Sequence, residues 1–105
     1  MHLTSFLQDG TLTIALTGEI DHHRAKGYIQ SILGKIEAYT PEICILDFQE
    51  VSFVDSSGIA VVINALRSMA QIEGKLILTG ICPQPMRVFQ ASGIDKLVEI
   101  KEAVS

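Results

Sequence analysis

The chain carries only two cysteines in 105 residues, Cys44 and Cys82. Their spacing fits neither a metal nor a redox motif, and both stand in apolar surroundings. They read as small core residues of a reduced, cytoplasmic protein. Adding the three histidines produces no tetrahedral ligand set, so no metal site is expected. Cations are scarce as well: eight Lys and Arg stand against twelve Asp and Glu, for a net charge of -4. Without a basic stripe, no direct contact with nucleic acid is expected. Apolar runs fall far short of the ~20 residues that span a bilayer, and charges interrupt them, so no membrane insertion is expected. The start, Met1-His2-Leu3, lacks the basic and apolar regions of a signal peptide. Neither a P-loop nor Gly-x-Gly-x-x-Gly occurs, which removes the usual cradles for a nucleotide, and no cofactor is expected. Internal repeats, linkers and low-complexity segments are also missing.

What is present is a chain that is 48% hydrophobic, enough for one real core in a single domain spanning 1–105. Asp9-Gly10 lies between two strand-like runs, Leu3–Gln8 and residues 11–17, and marks a two-residue hairpin. In the second run Leu12, Ile14 and Leu16 alternate with Thr11, Thr13 and Thr17, and Gly18 is expected to break it. Asp21 is placed to cap a helix in which Ala25, Tyr28, Ile29, Ile32, Leu33 and Ile36 recur at helical spacing. Thr40-Pro41 closes that helix.

Residues 43–46 are apolar on both faces, the pattern of a central strand covered on both sides. A second helix shows Ile59, Val62, Ile63, Leu66, Met69 and Ile72 on one side and ends at Glu73-Gly74, with Gly74 suited to a left-handed position. A strand over 76–78, a short helix over 85–91 and a last strand over 97–100 complete the chain. The fold class is α/β: a small mixed β-sheet with an N-terminal hairpin, then βαβ units, with helices packed on the sheet.

In such sheets function favours the loops at the carboxyl ends of parallel strands, and the loop expected after residues 43–48 carries Asp55-Ser56-Ser57-Gly58. A helix start offers free N–H groups and a positive dipole end, so it stabilises an anion. Three candidate cap residues in a row exceed what capping needs, and a spare hydroxyl there can accept a phosphate. Gly58, without a Cβ, allows close approach by a partner or an enzyme. A serine hydrolase lacks its Gly-x-Ser-x-Gly elbow. His22 and His23 could supply a base. Adjacent on a helix they point about 100° apart, so at most one faces a given site, and both read as solvated first-turn residues. A small serine or nucleotide hydrolase is therefore the weaker alternative.

Two segments, Leu16-Thr17-Gly18-Glu19-Ile20-Asp21-His22-His23 and Val51-Ser52-Phe53-Val54-Asp55-Ser56-Ser57-Gly58-Ile59, stand in order and at a fitting separation. Together they resemble the STAS domain of bacterial anti-sigma factor antagonists, in particular those of the sporulation sigma-F system. The resemblance extends from the first hairpin to Ser92-Gly93-Ile94. It implies a cytoplasmic phosphoprotein that is not an enzyme. Such a protein binds an anti-sigma factor that is also a serine kinase of the GHKL type with bound nucleotide, and so releases the sigma factor. By position the phosphate falls on Ser56, and a PP2C-type phosphatase removes it. Asp21, His22, His23, Asp55, Ser57 and Gly58 are then the expected partner contacts, with Ser57 the structural serine beside the helix. A STAS subunit of a stressosome-like or lipid-transport complex, without a phosphoswitch, is the alternative within the same resemblance. Members of the family commonly carry a further helix after the last strand, where this sequence has only residues 101–105.

Overall fold

A computed structural model describes residues 3–102. The elements are β1 (Leu3–Gln8), β2 (Thr11–Ile20), α1 (His22–Tyr39), β3 (Ile43–Val54), α2 (Ser56–Gln71), β4 (Lys75–Thr79), α3 (Pro83–Ser92), a 3-10 turn (Ile94–Lys96) and β5 (Glu99–Lys101). One five-stranded sheet runs in the order β1-β2-β3-β4-β5. The β1–β2 pair is antiparallel and every other pair is parallel. The hairpin forms as the sequence predicts: Asp9 and Gly10 take φ of 51° and 79°, the positive values that a tight two-residue turn between twisted strands requires. Among the described residues no helix is long and apolar enough to cross a membrane.

The main buried cluster lies on one face of the sheet. Leu12, Ile14 and Leu16 of β2, Cys44, Leu46 and Phe48 of β3, and Leu76 and Leu78 of β4 join a single buried cluster with Tyr28, Ile32 and Ile36 of α1, Val61, Val62 and Met69 of α2, and Phe89 of α3. Phe48 and Phe89 meet edge to face at 5.5 Å. The alternate residues Thr13, Ile45 and Ile77 line an open groove of about 460 Å³ with Phe6 on the opposite face. The expectation that residues 43–46 are covered on both sides is therefore corrected: the apolar Ile43 and Ile45 are half-exposed. A period-two strand directs alternate residues to opposite faces, and the three helices all pack on one of them. The departure at the C-terminus, where family members commonly carry a further helix, concerns residues beyond 102, outside those described.

Several boundaries differ from expectation for local reasons. Gly18 does not end β2; with φ 107° it sits where the β2–β3 register shifts, and the strand continues to Ile20. The buried stripe of α2 is Gly58, Val61, Val62, Ala65 and Met69, while Ile59, Ile63 and Leu66 are half-buried and Ile72 is exposed. The left-handed residue after α2 is Glu73, at φ 57°; Gly74 is needed because a Cβ there would strike Met69 and come within 3.1 Å of the Glu42 carbonyl. Pro83 rather than Pro85 opens α3, and Leu97 is an exposed turn residue outside β5.

The two thiols have different surroundings. Cys44 is fully buried, and burial pushes its thiol up to about 12. Cys82, expected in the core, is instead half-buried at the start of α3, with its Sγ 3.5 Å from the Gln49 carbonyl. Under native conditions a thiol-specific reagent should label one cysteine per chain, Cys82. Equal labelling of Cys44 in the folded protein would contradict this packing.

Candidate functional site

The carboxyl ends of β2 and β3 lie side by side, with Ile20 paired to Val54. Each strand passes into a helix through a single Asp, Asp21 or Asp55, so the loop expected to carry the serines does not exist. Both Asp residues take extended backbone angles and cap the helix that follows. Asp21 Oδ1 accepts the Arg24 N–H at 3.0 Å. Asp55 Oδ1 accepts the Ser57 N–H at 2.7 Å. Its other oxygen, Oδ2, accepts the His22 N–H at 3.1 Å, across 33 positions of sequence. One carboxylate thus closes the starts of two helices, where both dipoles favour negative charge. The Asp55 N–H donates back to the Ile20 carbonyl at 3.2 Å.

This arrangement brings Asp21-His22-His23 and Asp55-Ser56-Ser57 together, as the resemblance implies, and shows which of them caps the helices. Capping belongs to Asp55, and neither serine hydroxyl has a hydrogen bond among the described residues. Ser56 is exposed in the first turn of α2, and Ser57 is half-buried and contributes its backbone N–H to the cap. His22 and His23 are exposed on the first turn of α1, their rings 5.8 Å apart and inclined by 67°. Gly58 is buried, and a Cβ there would lie 2.7 Å from the Cβ of Val54. Its missing side chain thus serves the close approach of α2 to the end of β3, not the approach of an outside molecule. Tyr28 anchors α1 beneath the site by donating to the Thr17 carbonyl at 2.6 Å, and burial raises its pKa.

Three features escaped the sequence. Gln84 of α3 bonds to both backbone groups of Val54, 30 positions away. Ile59 and Val88, legible only as apolar helix positions, line a groove of about 510 Å³ beside Asp55 and Ser56. Phe53 joins that groove and is 39% exposed at the end of a strand whose neighbours Val51 and Val54 are fully buried. No group of three or more His, Cys, Asp or Glu able to hold a metal exists among the described residues. Nor does any described side chain hydrogen-bond to the hydroxyl of Ser56 or Ser57 as a catalytic base would.

The STAS domain family matches residues 7–105. An anti-sigma F factor antagonist of Lysinibacillus sphaericus is 34% identical over 84 residues, covering 80% of this chain and 72% of the relative. An anti-sigma-B factor antagonist of Listeria monocytogenes is 30% identical over 90 residues, covering 86% and 78%. In three dimensions the chain is similar to the Bacillus anti-sigma factor antagonist SpoIIAA, at 29% identity. Against its unphosphorylated form the TM-score is 0.84 over 98% of this chain and 89% of that one. Against its phosphorylated form the TM-score is 0.75 over 98% and 92%.

The double cap has a measurable consequence. Loss of one helix cap costs about 1 kcal/mol, so Asp55→Ala should destabilise the fold by about 2 kcal/mol and Asp21→Ala by about half that. Denaturant titration of the two variants checks this; equal losses would show that the Asp55–His22 bond contributes nothing.

Proposed function

The chain belongs to the STAS domain family, and on that premise we propose that it is an anti-sigma factor antagonist switched by phosphorylation of Ser56. In its unphosphorylated form it binds an anti-sigma factor that is also a GHKL-type serine kinase with bound nucleotide, and so frees the sigma factor. Phosphorylation by that kinase ends the association, and a PP2C-type phosphatase restores it. The chain acts in the cytoplasm by binding alone, with no catalysis of its own.

The observation that carries this reading is the state of the Ser56 hydroxyl: exposed, free of hydrogen bonds among the described residues, and next to an Asp that does the capping. A phosphate on it breaks no bond of the fold. It brings about -1.5 to -2 charges beside the Asp55 carboxylate, a repulsion that the start of α2 partly offsets. Burying such a charge in an interface without a cation is costly. A penalty of about 3 kcal/mol already corresponds to roughly 100-fold in affinity. The relatives support the same reading, since a protein of similar fold and 29% identity has been solved in both phosphorylation states.

The surface available to the partner surrounds that hydroxyl. Asp21, His22 and His23 border it on the α1 side, with Asp55 and Ser57 beside it. The groove lined by Phe53, Ile59 and Val88 gives the partner apolar contact on the α3 side. Gly58 supports this surface from below.

Ser56→Asp should weaken binding to the kinase-type anti-sigma factor by about 100-fold while the circular dichroism spectrum stays as in wild type. Ser56→Ala should bind as wild type does and take up no phosphate from ATP. Equal affinities of wild type and Ser56→Asp by calorimetry would sink the proposal.

A further inference from the structure

The part of β3 that leads to the site has a strand on one side only. β2 accompanies it to Val54, whereas β4 stops opposite Asp47. Side chains take over where β4 ends. Asp47 Oδ1 accepts the Gln49 N–H at 2.9 Å. Gln84, half-buried in the first turn of α3, reaches Val54: its Oε1 accepts the Val54 N–H and its Nε2 donates to the Val54 carbonyl, each at 2.9 Å. A primary amide holds one acceptor and one donor side by side, the same pair that a residue of an adjoining strand offers. Only one orientation of the amide satisfies both groups. Gln84 therefore stands in for one residue of a missing strand.

The carbonyl it holds belongs to the peptide that joins Val54 to Asp55. The N–H of that peptide donates to Ile20 on the other side. A planar peptide gripped at both its oxygen and its hydrogen cannot rotate, and the next atom along the chain is the Cα of Asp55. We propose that Gln84 is a positioning residue for the switch: by clamping the Val54–Asp55 peptide, it fixes where Asp55 aims its carboxylate and where Ser56 presents its hydroxyl. Its importance for regulation rests on the reading of Ser56 given above, but the clamp can be tested without a partner.

The test compares amide signals of wild type, Gln84→Leu and Gln84→Glu by nuclear magnetic resonance, each variant against wild type at the same pH. In Gln84→Leu the Val54 amide should exchange with solvent about tenfold faster, the factor that matches a hydrogen bond worth about 1.4 kcal/mol. The Ser57 and His22 amides should shift with it, although their bonds are to Asp55 and not to Gln84. In Gln84→Glu the carboxylate can accept from the Val54 N–H but cannot donate to its carbonyl, while the protonated acid can do both. The three amides should therefore move away from wild type at neutral pH and return as pH falls through the pKa of the introduced group. Of the residues that line the groove with Gln84, only Asp55 is charged.

A residue that merely holds α3 in place would lower the thermal midpoint and leave Ser57 and His22 unshifted. That result overturns the proposal, as do pH-independent shifts in Gln84→Glu. Should Gln84→Leu fail to fold, the acid rescue of Gln84→Glu decides alone. An unphosphorylated Ser56 would remove the regulatory meaning and leave these amide shifts as stated, so the two failures are distinct.

Discussion

The carboxylate of Asp55 accepts the first backbone donors of two helices that are otherwise far apart in the chain. Each helix start carries a partial positive charge of about half an elementary unit, and the carboxylate lies between two of them. The geometry depends on β2 and β3 ending level, which the pairing of Ile20 with Val54 secures after the shifts of register near Gly18. It also depends on Gly58, whose missing Cβ lets α2 begin directly against Val54. Strand ends, helix starts and the intervening Asp residues form one junction, and Gln84 ties α3 to it.

Because Asp55 does the capping, the serines beside it are released from that task. A cap made by Ser56 would couple modification to unfolding of the first turn, since a phosphate on the capping oxygen would displace the bond. Here the hydroxyl projects from a helix that is already closed. A charge added to it, as proposed, would alter what the surface can bind and break no hydrogen bond of the fold. On the proposed reading the protein signals through its surface potential, with the same fold in both states. If Ser56 is the phosphate acceptor proposed above, the site benefits from rigidity, because a kinase and a partner would both have to find the hydroxyl in one place.

Periodicity made the order of elements legible: alternation gave the strands, 3.6-residue spacing gave the helices, and Asp9-Gly10 gave the hairpin. It could not decide how many faces of the sheet are covered, because Ile43 and Ile45 are apolar although half-exposed. Nor could it fix the phase of α2, since Val61 and Ala65 face the core while the bulkier Ile59 and Leu66 are only half-buried. At the site, the Asp55-Ser56-Ser57-Gly58 segment was readable from residue types, whereas its pairing with Asp21-His22-His23 came from the family resemblance. The division of labour among them was not, because it rests on a bond between positions 22 and 55. The Gln84–Val54 pair left no trace for the same reason: a glutamine in a first helical turn is unremarkable until the strand it completes is seen.

Mass spectrometry after incubation with ATP and a kinase-type anti-sigma factor tests the central claim most directly. Cleavage of the chain and fragmentation of the peptide containing Asp55-Ser56-Ser57-Gly58 should locate a single phosphate, on Ser56, in a protein whose remaining spectrum of peptides is unmodified. A phosphate on Ser57, or none while the kinase is active and bound, would contradict the account.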